Sequence, residues 1–552
     1  MKVLLAAAIV VALIPSALVY HGVELDGDDV LYARLASALA DGQPMFVSNS
    51  PHSYRLGFII PVALFYRLFG LHDWTTVAYT VLTAGGTVLV VAYAALRLYG
   101  GWVAVSAVLL CGFHPVLYST GSSGMPDLPA GFLYGVFVVG WVLAATGRAG
   151  NRGIWAWLSG IASAWAVVTK ESTAPMILLT LAGFLFVGRR HAAQGGFPLG
   201  AWLLGNCLVG MPYVLYLWRE TGDPLIVLHA MQRGYNMPGA PWLHPLEGMH
   251  FVARLTGLSI LRACMEGYVL AVLPVLIAFA LSKTVVADAE ADQASPYFMV
   301  ATIAPVAILS HFSTSFSQWS PVHLDMRFGS PLIIPGSILA AVACVHIRNV
   351  ELQTLARVGV WATLLFACGL SGLGLFQGNV WLAKGAVATF GGGLAVLAAR
   401  NRPQWFLPTM LVLLLAGNLA VYRVVKYAPL MAHNDAIRDA VDAVPRDPAW
   451  PILTDHEMAR AVQYVHRFDA RSVVEIWTLS GLAGHPFYWA AERAEPWSKP
   501  YLLVWRPAAA KALAAAWGTQ VPPWVVDEVT RGTLVKGFPN EPGAGVYRVG
   551  AD

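Results

Sequence analysis

The chain has 552 residues, of which 57% are hydrophobic and only 12% charged, with a mean hydropathy of +0.60. These values exclude an ordinary soluble domain or a disordered chain and imply a polytopic membrane protein. A net charge of +4 is too small and too dispersed for a nucleic-acid-binding surface.

In chain order, residues 2–20 pair Lys2 with an apolar run and lack a small-x-small cleavage site, which predicts a retained first helix. Glu24, Asp26, Asp28 and Asp29 follow, four carboxylates within six residues. Such crowding at a membrane surface costs energy through mutual repulsion and adds nothing to a core. The groups are available to accept a proton or bind a cation, although Asp28 and Asp29 also suit a helix cap. The apolar stretch 55–70 is short and carries Arg55, Pro61 and Arg67, so it is expected to lie in the interface.

Spanning helices are predicted near 2–20, 74–96, 101–119, 128–147, 153–169, 172–188, 197–218, 266–283, 297–313, 330–347, 354–375, 379–399 and 405–423, about 13 at about 20 residues each. With 55–70 left out of the count, Arg97, Arg148, Arg152, Arg189, Arg190, Lys283, Arg348, Arg400 and Arg402 all fall on one side. That satisfies the positive-inside rule. The regions 21–73, 219–265 and 314–329, together with the turns at Asp127 and Lys170-Glu171, then lie outside.

From 427 to 552 the composition shifts to mixed charge with short strand-like runs at 451–454, 473–477, 501–505 and 546–549. Helical stretches near 435–444, 456–466 and 508–517 complete a small α/β extracytoplasmic domain. The chain therefore divides into a membrane domain, 1–426, and a tail domain, 427–552. The five cysteines (111, 207, 264, 344 and 368) show neither metal-ligand nor paired spacing and read as small buried hydrophobes.

The proposed helix interiors are nearly free of ionisable residues, and Lys384 lies near enough to an end to snorkel. A secondary transporter ordinarily keeps such groups near the midplane. Here Asp26, Asp28, Asp29 and Asp127 share the outer side with Arg55, Lys170, Arg233, Arg254, Arg262 and Arg327, and with His229, His244 and His250. A carboxylate opposite basic groups suits displacement of a phosphate leaving group: the base takes a proton while the cations stabilise phosphate oxygens. Plainer readings stand beside this one. Asp127, between Pro126 and Pro129, could cap a helix, and Lys170-Glu171 could be a local ion pair.

The pattern Asp28-Asp29-x-x-Tyr32-Ala33-x-x-Ala36 resembles the first acidic motif of GT-C glycosyltransferases. It is most like bacterial relatives of protein O-mannosyltransferases and of the aminoarabinose lipid A transferase. Tyr54-Arg55-x-Gly57 through Leu68-Phe69-Gly70 resembles that family's interfacial helix, and Met125-Pro126-Asp127-Leu128-Pro129 its second acidic motif. Val168-Thr169-Lys170-Glu171, Met326-Arg327-Phe328-Gly329-x-Pro331 and Ile452-Leu453-Thr454-Asp455 resemble later elements in the same order.

The resemblance implies a GT-C fold and a polyprenyl-phosphate-linked sugar donor. It assigns Asp28 as catalytic base, with Asp29 and Asp127 as further catalytic carboxylates. Tyr32, Arg55, Lys170, Glu171, His229, Arg233 and Arg327 are implied to bind the lipid phosphate or sugar. Asp29 stands where the family usually has glutamate or a bulky residue, and Arg55 where lysine is frequent. No cofactor or metal site is expected as obligatory, and use of a divalent cation differs among relatives.

Partners are then membrane lipids and a glycan, lipid or protein acceptor. The implied location is a bacterial inner membrane, with the site on the periplasmic side. Two rivals remain from the residues alone: a flippase for polyprenyl-linked sugars, and a non-catalytic component of envelope polysaccharide assembly.

Overall fold

The computed structural model describes residues 1–25, 27–43, 51–148, 150–189, 197–234, 293–311, 326–346, 419, 422–423, 427–442, 452–454, 456–465, 476–478, 501–507, 523–537 and 544–550. The spans expected at 266–283, 354–375 and 379–399, most of that at 405–423, and the tail helix expected at 508–517 lie outside these residues. So do Asp26, His244, His250, Arg254 and Arg262.

The membrane portion opens with α1 (Lys2–Leu18), α2 (Asp28–Ala40), a 3-10 turn (Pro51–Tyr54), α3 (Leu56–Phe69) and α4 (Asp73–Tyr99). It continues with α5 (Gly101–Gly112), α6 (Pro115–Thr120), α7 (Asp127–Thr146), α8 (Arg152–Thr169), α9 (Thr173–Arg189), α10 (Leu199–Thr221) and α11 (Ile226–Gly234). Later come α12 (Ser295–His311), a 3-10 helix (Met326–Leu332) and α13 (Ile333–His346).

Among the described residues, three helices are long and apolar enough to cross a membrane: Asp73–Tyr99, Asp127–Thr146 and Leu199–Thr221. At about 1.5 Å per residue α4 is about 40 Å long, more than a hydrocarbon core of about 30 Å. By the same measure α3 reaches only about 21 Å. The single span expected over 101–119 is instead broken into α5 and α6. Pro115 cannot continue the hydrogen-bond ladder of α5, and His114 Nδ1 accepts from Val116 N at 3.3 Å to start the next helix.

Small residues set the helix spacing. An added Cβ on Gly160 of α8 would lie 2.1 Å from the carbonyl oxygen of Trp202 on α10, and one on Gly205 would lie 2.2 Å from that of Trp157. Ser159 Oγ of α8 donates to Phe137 O of α7 at 2.8 Å, and Ser163 Oγ donates to Asn206 Oδ1 at 3.1 Å. Close backbone approach and side-chain hydrogen bonds are the means by which helices associate in lipid. Gly160→Ala is therefore expected to destabilise the α8–α10 contact by about 1–3 kcal/mol, read as a lower unfolding temperature in detergent; an unchanged temperature would contradict this packing. Of the described cysteines, Cys111 is buried as expected, whereas Cys207, on α10, is exposed and free.

The two ends of the bundle differ in charge. Arg148 Nη1 donates to Leu98 O at 2.6 Å and Arg152 Nε to Ala144 O at 2.7 Å, so arginines cap the C-termini of α4 and α7. Met1 packs at Gly101 on this same end. Glu24, Asp28 and Asp29, the start of α7 and the turn between α8 and α9 gather at the opposite end.

The tail contributes α14 (Ala428–Asp442), β1 (Ile452–Thr454), α15 (His456–Val465), β2 (Ile476–Thr478), β3 (Tyr501–Trp505), α16 (Pro523–Arg531), β4 (Thr533–Gly537) and β5 (Gly545–Val549). The strands form one sheet in the order β2-β1-β3-β5-β4. β1 runs parallel to β2 and β3, with Leu453 opposite Trp477 and Leu503, and β5 is antiparallel to β3 and β4. Strand β4 and helix α16 were not anticipated. The second strand falls at 476–478, three residues later than the expected start. Ile437, Val441, Ala461, Val462, Leu502 and Val504 of the tail share one apolar cluster with Val30, Ala33, Phe58 and Ile59 of α2 and α3.

Candidate active site

Helix α2 begins at Gly27 with no side-chain cap, and Asp28 and Asp29 occupy its first turn, where the helix dipole favours negative charge. Their environments differ sharply. The Asp28 side chain is 35% exposed and its Oδ2 lies 3.8 Å from His52 Nε2. Asp29 is fully buried. Its Oδ2 accepts from the backbone N–H of Gly124 at 2.6 Å and of Glu24 at 3.3 Å, and its Oδ1 has no hydrogen-bond partner among the described residues.

Burial, reinforced by the nearby Glu24 charge, pushes the Asp29 carboxyl up to about 8. The adjacent carboxyls are thus distinguished: Asp29 keeps its proton at neutral pH, and Asp28 is the one that solvent reaches. Because Asp29 binds its proton more tightly folded than unfolded, stability should decline as pH rises from about 4 to about 8. Asp29→Asn is expected to flatten that slope without losing the backbone contacts. Unfolding temperatures of both proteins across this range check it, and identical slopes would contradict it.

Close approach of α3 to α8 builds the next part. A Cβ on Gly57 would sit 2.4 Å from Thr169 Oγ1, and Trp165 Nε1 donates to Gly57 O at 3.1 Å. Arg55, at the start of α3, is thereby laid against the turn after α8. Its Nε and Nη2 donate to Glu171 Oε2 at 2.9 Å and Oε1 at 2.6 Å, a bidentate pair. Its Nη1 donates to the Tyr32 hydroxyl. Burial opposes ionisation of Glu171, but the Arg55 guanidinium more than compensates and holds the carboxyl at about 2.

Lys170, the preceding residue, donates to Asp127 Oδ1 at the start of α7. Its Nζ stands 4.2 Å from the centre of the Phe328 ring, and Arg327 lies 5.4 Å from the same ring. Arg327 Nη1 approaches Met125 Sδ at 3.9 Å, and Ser330 Oγ donates to Asp127 O at 2.7 Å. Asp127, Lys170, Glu171 and Arg55 are each less than 10% exposed. Two buried ion pairs therefore stand side by side.

The structure brings Asp28, Tyr32, Arg55, Glu171, Lys170, Asp127 and Arg327 into one connected set at one end of the bundle. His229 is exposed on α11, with Nδ1 2.6 Å from Asp223 Oδ2, and its neighbour Ala230 packs with Tyr54 of the 3-10 turn. Arg233 lies in the same helix, with its side chain outside the described residues. His52, beside Asp28 and edge-on to Tyr32 at 5.6 Å, was missed in the sequence, where nothing in its spacing marks it. Among the described residues no group of three or more His, Cys, Asp or Glu could hold a metal ion.

Residues 57–218 match the family described as dolichyl-phosphate-mannose-protein mannosyltransferase. The crystal structure of ArnT from Cupriavidus metallidurans bound to undecaprenyl phosphate is similar over 100% of this chain and 99% of that one, at 15% identity and a TM-score of 0.61. Its apo form gives 14% and 0.60. The archaeal oligosaccharyltransferase AglB from Archaeoglobus fulgidus, in complex with an inhibitory peptide and a dolichol-phosphate, gives 13% and 0.41 over 86% of this chain and 64% of its own. No curated protein matches the chain in sequence.

Proposed function

We propose that this chain belongs to the GT-C superfamily of polyprenyl-phosphate-sugar glycosyltransferases and moves a sugar from a polyprenyl-phosphate donor to an envelope lipid, glycan or protein on the outer face of a bacterial inner membrane. The observation that carries this reading is the division between Asp28 and Asp29. One carboxyl is accessible beside His52 and its neighbour is buried and bound to backbone, at the same end of the bundle as the buried Arg55–Glu171 and Lys170–Asp127 pairs.

Asp28 takes the proton of an acceptor hydroxyl as that oxygen attacks the anomeric carbon. The bond from the anomeric carbon to the phosphate oxygen breaks, the sugar inverts, and polyprenyl phosphate leaves with the negative charge. Arg327, near the same Phe328 ring as the Asp127-paired Lys170, stabilises that charge together with Lys170. Arg55 is committed to Glu171 and Tyr32, so it fixes the turn that presents Lys170.

The test is mass spectrometry of lipids and glycans in membranes with and without the active chain. A glycosylated product that disappears with the chain, alongside accumulation of the polyprenyl-phosphate sugar, supports the proposal. Unchanged products with donor displaced between leaflets would replace it by a flippase.

A further inference from the structure

Asp28 and Asp29 follow a segment gripped from both sides. On one side His21 N donates to Ser122 Oγ at 2.8 Å, and Asp29 bridges Glu24 N to Gly124 N. A Cβ on Gly124 would meet the Asp29 side chain at 3.0 Å, so a larger residue at 124 would crowd this contact. On the other side stands the stretch that leads into the tail. Tyr427 donates to Tyr20 O at 2.7 Å. Asn434, 3% exposed in α14, uses both ends of its amide: Oδ1 accepts from Leu25 N and Nδ2 donates to Val23 O, each at 3.4 Å. The amide pairs with the segment as a neighbouring strand would. Glu24, between those two contacts, is the residue whose N–H binds Asp29.

We propose that Asn434 is a positioning residue for sugar transfer, holding residues 23–25 so that Asp29 reaches Gly124 and Asp28 faces the site. This rests on the reading of Asp28 as the base. The route is contiguous: Asn434 to 23–25, then to Asp29, then to Gly124 three residues before Asp127. Tail docking does not depend on it. Arg438 and Tyr464 separately bind Asp73 of α4, Tyr464 also meets the Thr76 hydroxyl at 2.9 Å, and the shared apolar cluster holds α14 and α15 in place.

Hydrogen–deuterium exchange on the full chain in lipid nanodiscs separates positioning from docking. Asn434→Ala should speed exchange at residues 23–25 and also at Gly124, which Asn434 does not touch. Arg438→Ala, which loosens only the α4 contact, should leave Gly124 unchanged. In membranes, Asn434→Ala should slow turnover of polyprenyl-phosphate sugars roughly 10- to 100-fold, the scale for a catalytic group displaced by about 1 Å, with binding of added undecaprenyl phosphate unaltered. Asn434→Asp, which keeps the acceptor and loses the donor, should recover part of both signals.

Protection at Gly124 that survives Asn434→Ala, or is lost equally in Arg438→Ala, overturns the proposal. So does full turnover in Asn434→Ala when Asp28→Asn is inactive. If Asp28→Asn itself retains turnover, the base assignment falls; Gly124 protection still lost in Asn434→Ala would then show that the positioning contact stands and that only the base reading has failed.

Discussion

Asp28→Asn should lower sugar transfer by roughly 10²- to 10⁴-fold, the contribution of a positioned general base, while donor binding persists. The substitution is nearly isosteric and lies at a partly exposed position, so the fold should tolerate it. Asparagine cannot accept the acceptor proton, so the loss should fall on kcat, with the donor KM little changed. His52→Gln should have a smaller effect and no loss of folding, because His52 orients Asp28 at 3.8 Å without taking the proton. If Asp28→Asn retains wild-type kcat, the proton goes elsewhere.

The second large effect is on stability. Arg55 and Glu171 are 7% and 9% exposed as side chains and meet through two charge-assisted hydrogen bonds. Removing either partner leaves an uncompensated buried charge, which costs about 3–5 kcal/mol. Arg55→Ala and Glu171→Ala should each lower the unfolding temperature of the detergent-solubilised protein strongly. Arg55→Met combined with Glu171→Leu should recover most of that loss, since well-packed apolar groups replace a buried pair at little net cost. The double variant should nonetheless stay slow, because Tyr32 and the Lys170 turn lose their common partner. Single replacements costing no more than about 1 kcal/mol, the scale of exposed pairs, would show that the pair is not buried in solution.

Local signals carried much of the fold into the sequence. Apolar runs bounded by glycine and arginine marked α4, α7, α8, α9 and α10, and charge asymmetry set the two ends apart. The break at His114-Pro115 was also written there, since proline cannot continue α5, but the flanking apolar residues masked it. Strand β4 escaped because all its residues are exposed and its pairing shifts between Leu534 and Lys536, so it has no alternating pattern.

Within the site, residue types were legible and pairings were not. That Asp29 turns inward to Gly124, 95 residues away, follows from how α2 meets the loop before α7. That Glu171 is the partner of Arg55, 116 residues away, follows from the close approach allowed by Gly57. The hold of Asn434 on residues 23–25 spans about four hundred positions, and no periodicity encodes it.

Covalent transfer from a polyprenyl-phosphate sugar is read from the fate of that donor in proteoliposomes holding the full chain and a membrane extract as acceptor source. Polyprenyl phosphate should appear in step with sugar on an acceptor, with opposite anomeric configuration to the donor, and both should vanish with Asp28→Asn. Donor that crosses the bilayer intact, with no polyprenyl phosphate released, would contradict it.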